Sequence, residues 1–558
     1  MNAKKMVRDG LAAAGALDLA RRVRRRIRRP RRPAAQRMLR VDPVPRLQPF
    51  PQARYVFAVG AIPRRYAGRT ASVLAKTKLF AEQAGVPCEI LTMNYSAELD
   101  DVTHEIDQRG ALGDGVRIVN LYDSLMGSSD PDDVITHPVE EPGMDLIKDR
   151  DASVYRYYEN GVYRLYKRFD YAGRLIVRDW FNENRARTRR DEFGVDGHLR
   201  RTTYYDLHYN RPRQEVYLRP NGTAFLNKWL VVNPSDLTTE VERITLFDEQ
   251  ERPVKVMTSH VELIHDYLDR ILGDDKVFLS IESRRTDPEV IEYRRPNVKR
   301  LYVLHNPHIA APFGNPTKIR PTYRLILDRA KEASAIVFLT AAQRADAESV
   351  YGRRDNFVVI PHPVSRPASA EPVVRDPNLV VMLARLDQQK QVDAAVRAFR
   401  DVVRKRPGAR LEIYGRGPEE KNLRRLISEL GLEKSVRLMG YTTDPAAVYR
   451  KASACLLTSS YEGFGLVVLE AMAHGCPVVS FDLNYGPSDM ITDGETGFLV
   501  PVGSTGGLAA RTVELLSNPD LRDRMSTAGL AAVERFSPET FLARWSSLFT
   551  ALDAQGWD

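Results

Sequence analysis

Short apolar runs alternate with longer amphipathic segments from residue 377 onward. Runs of four to seven apolar residues, as in NLVVML and SACLLTSS, are typical of strands buried on both faces of a sheet. The segments between them have the length and pattern of helices. Because consecutive parallel strands need a crossover helix, this alternation predicts a doubly wound α/β sheet.

A similar series begins nearer the N-terminus. YVFAVGAI (55–62) and PCEILTM (87–93) are predicted strands on either side of a helix that ends near Gly85. The same texture resumes near residue 253 and includes LYVLHNPH and SAIVFLT. A chain of 558 residues is also too long for one hydrophobic core. The sequence therefore predicts two α/β sheets in tandem.

The segment 119–252 has a different texture, because glycine turns recur among aromatic, β-branched and arginine residues. FDYAGRLIVRDWFN (169–182) and FGVDGHLRRTTYYD (193–206) match at an offset of 24 residues. We interpret this as an internal repeat of β-hairpins within an inserted antiparallel domain, in which Asn-Gly favours tight primed turns. Its aromatic residues either pack in its own core or form a surface for oligomerisation or for holding a long acceptor. The predicted turns lie at Asn160-Gly161, Ala172-Gly173, Asp196-Gly197 and Asn221-Gly222.

These patterns predict five segments in the order tail, α/β, β insertion, α/β and second α/β domain. The predicted boundaries are 1–45 for the basic tail, 46–118 and 253–370 for the two parts of the N-terminal Rossmann-like domain, 119–252 for the inserted β domain, and 371–558 for the C-terminal Rossmann-like domain with its final helix.

The positive charge of the chain is concentrated at the N-terminus. Residues 1–40 contain 14 Lys or Arg and two Asp, whereas the whole chain has a formal net charge of +10. Leu19, Val23 and Ile27 recur every four residues among the arginines, a pattern that indicates contact with a membrane surface or a polyanion. The alternative is a solvated arginine-rich tail. Nucleic acid is disfavoured, because no recognition fold follows the tail.

The composition otherwise indicates a soluble globular protein, with 43% apolar and 28% charged residues. The three cysteines are far apart and odd in number, so they do not form a disulfide framework. We therefore expect a cytoplasmic protein, with the tail placing it peripherally at the inner face of the cell membrane.

Two glutamates stand eight residues apart in YEGFGLVVLEAMAHG (461–475). Glu462 follows the strand SACLLTSS, and open α/β sheets bind ligands beyond the carboxyl ends of their strands. Glu470 lies in the second turn of the next helix, whose free first amides suit a phosphate or another anion. By spacing alone, two exposed glutamates would be the plainer interpretation.

Further candidates lie at equivalent positions. Arg385 and Lys390 follow the strand NLVVML, and two cations at that edge suit a departing diphosphate. Gly68 lies at the first strand-to-helix turn, where a missing side chain lets the backbone approach a phosphate. The chain has no G-x-G-x-x-G dinucleotide fingerprint.

These residues carry a resemblance that covers most of the chain. R-x4-K at 385–390, E-x7-E at 462–470 and DLNYGPSDMITDGETGFLV at 482–500 resemble the retaining GT-B glycosyltransferases of the family 4 type. With its β insertion, the chain most resembles poly(glycerol-phosphate) or wall teichoic acid α-glucosyltransferases and accessory-secretion glycosyltransferases. The resemblance implies two Rossmann-like domains facing a cleft, a nucleotide-diphosphate sugar donor, and no metal or other cofactor.

The resemblance also implies roles for the charged motif residues. Arg385 and Lys390 would hold the donor diphosphate and neutralise the leaving nucleotide. Glu462 would contact the donor sugar close to its anomeric centre, and Glu470 would bind the ribose hydroxyls.

Other positions are implied as donor-side or acceptor-side residues. Gly465 and Leu466 would offer backbone amides near the sugar and phosphate, and Tyr441 would pack the base. Gly68 would form the loop beneath the diphosphate, although the family more often has two adjacent glycines there. On the acceptor side, the resemblance favours His308 slightly over His305 for orienting the sugar or the attacking hydroxyl. A buried structural histidine is the alternative for either residue.

The predicted function is transfer of a hexose, with retention of configuration, to an anionic cell-envelope polymer such as poly(glycerol phosphate). We favour UDP-glucose or UDP-N-acetylglucosamine as donor. A homo-oligomer formed through the β insertion is expected. One alternative is glycosylation of Ser or Thr in a secreted protein, which implies a partner subunit; another is a non-catalytic scaffold with the same fold.

Overall fold

A computed structural model describes residues 44–557, except 65, 67, 128, 129, 131, 150–152 and 367–373. The proposed contact of residues 1–40 with a membrane or polyanion therefore lies outside the described residues. Within the described part, no helix is long and apolar enough to cross a membrane.

The first elements form three parallel strands and their helices. The strand residues of β1 and β2 are almost all buried, as expected for strands covered on both faces. The first helix ends at Gly85, whose φ of 65° closes the turn in the left-handed region. The elements are β1 (Arg54–Gly60), α1 (Arg69–Ala84), β2 (Cys88–Thr92), α2 (Leu99–Gln108), β3 (Val116–Asn120) and α3 (Leu121–Met126).

Ten antiparallel strands follow, and each pairs with its neighbours in the chain. The repeated Phe169 and Phe193 pack with Leu175 in one small buried cluster, so these aromatic residues do belong to the core of the insertion. The strands are β4 (Asp145–Lys148), β5 (Val154–Glu159), β6 (Val162–Phe169), β7 (Leu175–Phe181), β8 (Arg187–Phe193), β9 (Leu199–Asp206), β10 (Arg211–Leu218), β11 (Ala224–Val232), β12 (Thr239–Phe247) and β13 (Pro253–Met257).

The two Asn-Gly turns differ. Asn160 and Gly161 both have positive φ values, 51° and 77°, and they form the two-residue primed turn between β5 and β6. At Asn221-Gly222 only the glycine has a positive φ. There the Asn221 side chain accepts the amide of Thr223 within a longer loop, so the expected primed turn is wrong at this position.

The chain then returns to the first sheet. The seven parallel strands lie in the order β17-β16-β15-β14-β1-β2-β3, so the strand order reverses between β14 and β1. The elements of this part are α4 (His260–Leu272), β14 (Val277–Ile281), α5 (Asp287–Val290), β15 (Val298–Leu304), α6 (Pro321–Asp328), β16 (Ala335–Phe338), α7 (Ala341–Tyr351) and β17 (Phe357–Val359).

The C-terminal sheet has six parallel strands in the order β20-β19-β18-β21-β22-β23, with its reversal between β18 and β21. Both doubly wound sheets and the antiparallel insertion are therefore as predicted. The elements are β18 (Leu379–Leu383), α8 (Val392–Lys405), β19 (Arg410–Tyr414), α9 (Glu420–Glu429), β20 (Val436–Gly440), α10 (Pro445–Lys451), β21 (Ala454–Leu457), α11 (Leu466–Ala473), β22 (Val478–Phe481), α12 (Pro487–Met490), β23 (Gly497–Val500), α13 (Thr505–Ser517), α14 (Pro519–Ala532) and α15 (Pro538–Asp553).

The last helix crosses back to the first sheet. Trp545 and Phe549 of α15 pack edge-on against Phe80 of α1, with ring centroids 6.0 and 6.1 Å apart. Phe549 also packs against Tyr55 of β1 at 5.0 Å. Edge-to-face pairs of this kind stabilise by about 1 kcal/mol each beyond their burial. The final helix therefore belongs to the N-terminal sheet, although it follows the C-terminal one in the chain.

Candidate active site

The candidate site lies where the strand order of the C-terminal sheet reverses. The loop after β18 carries Arg385 and Lys390, and the loop after β21 carries Glu462. These two strands are neighbours in the sheet, so their carboxyl ends place the loops side by side. A crevice at such a reversal is where open α/β sheets bind ligands.

Lys390 and Glu462 form an ion pair between these two loops. Lys390 Nζ lies 2.6 Å from Glu462 Oε1, which also accepts a hydrogen bond of 2.6 Å from Ser459 Oγ. The side chains are 17% and 10% exposed, so the pair is shielded from water yet still reaches the cleft. The Thr458 hydroxyl fixes the Lys390 backbone by donating to its carbonyl oxygen at 2.9 Å.

Arg385 is more accessible than Lys390. Its side chain is 62% exposed, and its guanidinium lies 2.9 Å from Asp387 Oδ2. It also donates at 3.4 Å to Gln389. An exposed guanidinium with one carboxylate partner can turn towards an anionic ligand at little cost.

A second loop supports the Arg385 segment, and the sequence analysis did not single it out. The amide of Leu386 donates to the carbonyl of Arg416, and the amide of Glu419 donates to the carbonyl of Leu386. A Cβ at Gly417 would lie 2.2 Å from the Leu386 carbonyl oxygen, so only glycine allows this approach. The Gly-Arg-Gly sequence directly after the apolar run of β19 was the signal that could have indicated it.

The helix α11 carries the remaining motif residues. Gly465 caps its N-terminus with φ 90°, and Leu466 is its first residue. Glu470 is half-buried and accepts a hydrogen bond of 3.1 Å from the Tyr449 hydroxyl. Burial raises the pKa of Glu470, although the Tyr449 hydroxyl opposes this. The two glutamates of the motif therefore have different partners: Glu462 pairs with a lysine, and Glu470 accepts from a tyrosine hydroxyl.

Tyr441 directly follows β20, at the edge of the same sheet. Its side chain is 74% exposed. A tyrosine exposed at the end of a strand can offer one ring face to a planar ligand. The five residues of β20 fix the point at which Tyr441 leaves the sheet.

The N-terminal sheet faces these loops. Gly68 is the N-cap of α1 with φ 55°, and open space surrounds the position where a Cβ would stand. Gly463 makes the close contact between the halves: a Cβ at this position would lie 1.8 Å from the carbonyl oxygen of His305. The glutamate loop therefore rests directly on the backbone that follows β15.

The two candidate histidines have different surroundings. His305 Nε2 lies 2.6 Å from Glu282 Oε2, and its ring stacks on His362 at 5.5 Å. His308 is fully buried beside the rings of Tyr485 and Phe338, and burial lowers its pKa to about 4. The structure thus places the His305 backbone against the Gly463 loop and His308 in the core. Which of the two orients a substrate group stays a prediction.

Three side chains join the two halves beside the site. Asp489 accepts the amides of Ala341 and Ala342 at the start of α7, at 3.0 and 3.4 Å. The Tyr485 hydroxyl donates to Asp346 at 2.8 Å, and the Asn484 amide donates to the carbonyl of Phe313 at 2.9 Å. These bonds hold the cleft in the arrangement described above.

Two family models match this chain. The model for glycosyl transferases group 1 matches residues 368–531, which include both charged loops. The model for glycosyl transferase 1 domain A matches residues 55–248, which include β1 and most of the insertion. Together they span well over half of the 558 residues. The chain is a glycosyltransferase with a group 1 domain.

One curated relative of this glycosyltransferase is the poly(glycerol-phosphate) alpha-glucosyltransferase of Bacillus subtilis (strain 168). The two are 26% identical over 519 residues, which cover 90% of this chain and 75% of the relative. The relative falls within one of the groups that the motifs and the insertion resemble. The prediction that the chain is a nucleotide-sugar-dependent glycosyltransferase is confirmed.

Solved structures show the same fold for this glycosyltransferase. A mutant of S. aureus TarM, in complex with fondaparinux, alpha-GlcNAc-glycerol and UDP, superposes with a TM-score of 0.76 at 22% identity, covering 89% of this chain and all of that one. The pneumococcal O-GlcNAc transferase GtfA, in complex with UDP and GlcNAc, superposes with a TM-score of 0.63 at 17% identity, covering 90% and 99%. The predicted GT-B architecture with an inserted β domain is confirmed.

Proposed function

We propose that this transferase moves glucose or N-acetylglucosamine from a UDP-sugar to hydroxyl groups of a phosphodiester-linked cell-envelope polymer, with retention of anomeric configuration. The observation that carries the proposal is the Lys390–Glu462 pair, which stands at the strand reversal and faces the backbone of His305. The name of the Bacillus subtilis relative, which specifies poly(glycerol phosphate), supports the acceptor class.

The charged residues divide the work at the donor. Arg385 and Lys390 hold the diphosphate and offset the charge that develops on the leaving UDP. Lys390 exchanges part of its interaction with Glu462 for a phosphate oxygen, and Glu462 then accepts a hydrogen bond from a sugar hydroxyl. Glu470 accepts from the ribose, and the Gly465 and Leu466 amides lie near the sugar and phosphate.

The remaining residues complete the pocket. Tyr441 stacks on the uracil, and Gly68 lets the α1 end of the other sheet approach the diphosphate. His305 meets a hydroxyl of the sugar or the acceptor. Attack from the face that UDP leaves requires no protein nucleophile, so catalysis rests on positioning and electrostatics.

An anionic acceptor fits one arginine-lined surface of the β insertion. A hollow of about 380 Å³ on its sheet is lined by four arginines and several aromatic residues. Asp179, also in this hollow, is held by Arg187 and Arg190 at 3.1 and 2.7 Å. Arg156 pairs with Asp149 at 2.5 Å, so Arg168 is the residue that adds positive charge. Arginines are well suited to phosphate groups. The basic residues 1–40 add a second contact with the polymer or with an anionic membrane.

The deciding experiment offers UDP-glucose, UDP-N-acetylglucosamine and UDP-galactose with poly(glycerol phosphate), poly(ribitol phosphate) and a Ser/Thr-rich peptide. We expect one sugar to be transferred to a polyol phosphate as an α-linked product, which NMR identifies. Glu462→Gln should abolish this transfer. Transfer to the peptide alone would establish the protein-glycosylating alternative. Full activity in Glu462→Gln would overturn the assigned site.

A further inference from the structure

A buried carboxylate, that of Glu282, is in direct contact with His305. Glu282 directly follows β14, which is flanked in the sheet by β1 and β15. Its side chain has no exposure to solvent and accepts three hydrogen bonds. The donors are Ser280 Oγ at 2.6 Å, Lys76 Nζ, and His305 Nε2 at 2.6 Å.

These contacts fix the ionisation of Glu282. Burial favours the neutral acid, but Lys76 and the hydrogen bond from His305 hold the pKa of Glu282 well below its usual value. Lys76 is itself buried on α1, where its ammonium lies 4.7 Å from the ring centroid of Phe57 and 4.9 Å from that of Trp545. Glu282 and Lys76 are thus an enclosed ion pair.

The ion pair determines which nitrogen of His305 carries a proton. An ionised carboxylate can only accept hydrogen bonds, so His305 Nε2 must donate and carry the hydrogen. Burial lowers the pKa of His305, with Glu282 opposing and with Lys76 and Arg284 contributing. The ring is therefore neutral at neutral pH, and Nδ1 keeps its lone pair.

Groups from other elements hold the ring in place. The His362 ring lies parallel to it, with an angle of 14° between the planes, and burial together with His305 keeps the pKa of His362 low. The ring of Phe464 stands edge-on to His362 at 5.4 Å, and Phe464 belongs to the same loop as Glu462. The orientation of His305 is thus connected to the loop that carries the reacting-site glutamate.

We propose that Lys76 and Glu282 are positioning residues that hold His305 neutral, in the Nε2–H tautomer, so that Nδ1 serves as a hydrogen-bond acceptor for a substrate hydroxyl. The identity of the hydroxyl that donates to Nδ1 rests on the proposed function, whereas the assignment of the proton to Nε2 does not. Neither residue touches substrate, and both act through His305. A partner that orients a functional histidine typically changes activity by about 10–100-fold when removed.

The first test replaces the carboxylate by its neutral isostere in Glu282→Gln. The glutamine amide can donate to Nε2, so the Nδ1–H tautomer becomes populated. Since Lys76 would then be a buried cation without its partner, Lys76→Met/Glu282→Gln is the second variant and keeps the site neutral. The matched control is Lys167→Met/Glu141→Gln, which removes a buried ion pair of 2.5 Å from the insertion, far along the chain from His305.

The tautomer is read by long-range ¹⁵N–¹H correlation spectra, in which His305→Asn identifies the signal among the ten histidines. We expect Nε2–H in the wild type and a shift towards Nδ1–H in both Glu282 variants. In steady-state UDP-sugar hydrolysis and transfer, we expect kcat to fall about 10–100-fold in both variants, with less than a threefold change in donor KM. The control should leave both quantities unchanged.

The pH profile separates positioning from a general structural effect. Glu282 raises the pKa of His305 against the effect of burial, so removing this carboxylate moves the acid limb of the kcat profile to lower pH. An Nδ1–H wild-type signal, an unmoved acid limb, or an equal loss in the control would overturn the proposal. A correct tautomer without turnover of any UDP-sugar would contradict the proposed function and leave the positioning role standing.

Discussion

Lys390 Nζ lies 2.6 Å from Glu462 Oε1, so the last residue of the R-x4-K motif and the first glutamate of the E-x7-E motif are direct partners. The two motifs are 72 residues apart in the chain and meet because β18 and β21 are neighbours. Residues in contact do not act independently when they are replaced. This pairing shapes the first prediction.

Lys390→Met and Glu462→Gln should each lower kcat by about 10²–10³-fold, because each removes a group that acts on developing charge. The double variant should lose much less than the product of the two factors, since each single change already breaks the pair. Steady-state hydrolysis of the donor measures all three. Strict multiplication of the two losses would show that the residues act separately.

Lys390→Met should also destabilise the protein more than the double variant does. It leaves the shielded Glu462 carboxylate without its cation, a loss of about 3 kcal/mol for a buried pair. Urea unfolding followed by circular dichroism gives this comparison. Arg385→Met serves as the control, because Arg385 is 62% exposed and its ion pair with Asp387 contributes little to stability.

Glu470→Gln should change donor binding, whereas Glu462→Gln should change the rate of turnover. If Glu470 binds the ribose in ground state and transition state alike, its loss raises donor KM and the Kd for UDP about tenfold and leaves kcat nearly unchanged. Glu462→Gln should lower kcat and leave the Kd for UDP within about threefold. Calorimetric titration with UDP and steady-state kinetics decide this, and reversed results would exchange the two assignments.

Gly463→Ala should lower both stability and activity. The new methyl group would stand 1.8 Å from the His305 carbonyl oxygen, so the glutamate loop has to move away from the N-terminal sheet. Overpacking of this kind costs about 1–3 kcal/mol. Gly506→Ala is the matched control, because open space surrounds that position within α13. A fully active, fully stable Gly463→Ala would show that the contact is dispensable.

Asp489→Asn should raise stability at pH 8 and not at pH 4. Burial raises the pKa of Asp489 to about 6, although the amides of Ala341 and Ala342 oppose this. The stability that the raised pKa contributes is complete below the unfolded value near 4 and is lost as pH rises through about 6. Asparagine still accepts the amides without ionising. Urea unfolding at the two pH values measures the difference.

The control for this prediction is Asp493→Asn, at an exposed carboxylate that likewise accepts a backbone amide, from Leu499 at 2.9 Å. It should not reproduce the gain at pH 8. If Asp489→Asn is less stable than the wild type at pH 8, the ionised carboxylate itself stabilises the contact with α7.

Arg168→Glu should reduce transfer to poly(glycerol phosphate) and leave donor hydrolysis unchanged. Arg168 is exposed in the arginine-lined hollow. Reversing its charge should therefore weaken the binding of an anionic acceptor and leave the packing of the core unchanged. We expect about a threefold to tenfold rise in acceptor KM, which shrinks at high salt. Lys421→Glu, an equal charge change on α9, should have no effect.

The sequence predicts the sheets well because their strands are continuous apolar runs, as in β14, whose five residues are all buried. It also places Glu462 and Lys390 at one edge, since parallel strands share the direction of their carboxyl ends. It does not predict that the two form an ion pair, because this depends on the loop backbone, including Gln391 at φ 45°. Lys76 and Glu282 escape prediction for a related reason: 206 residues separate them, and neither belongs to a motif.

The preference between the two histidines could not be decided from the sequence. His305 directly follows β15, whereas His308 lies three residues further, next to the Ile309–Ile319 bridge that turns the chain inward. The burial of each ring depends on that bridge, which the residues next to the two histidines do not predict.

The return of α15 to the N-terminal sheet means that the polypeptide passes between the two halves twice. The two passages run side by side, because the amide of Val364 donates to the carbonyl of Phe536 at 2.9 Å. The two connections between the halves therefore lie next to each other, at one edge of the cleft. We expect opening of the cleft to increase the distance between Gly463 and His305 more than the distance between Val364 and Phe536. A pair of labels beside Gly463 and His305 should therefore report substrate entry, and a pair beside Val364 and Phe536 should not.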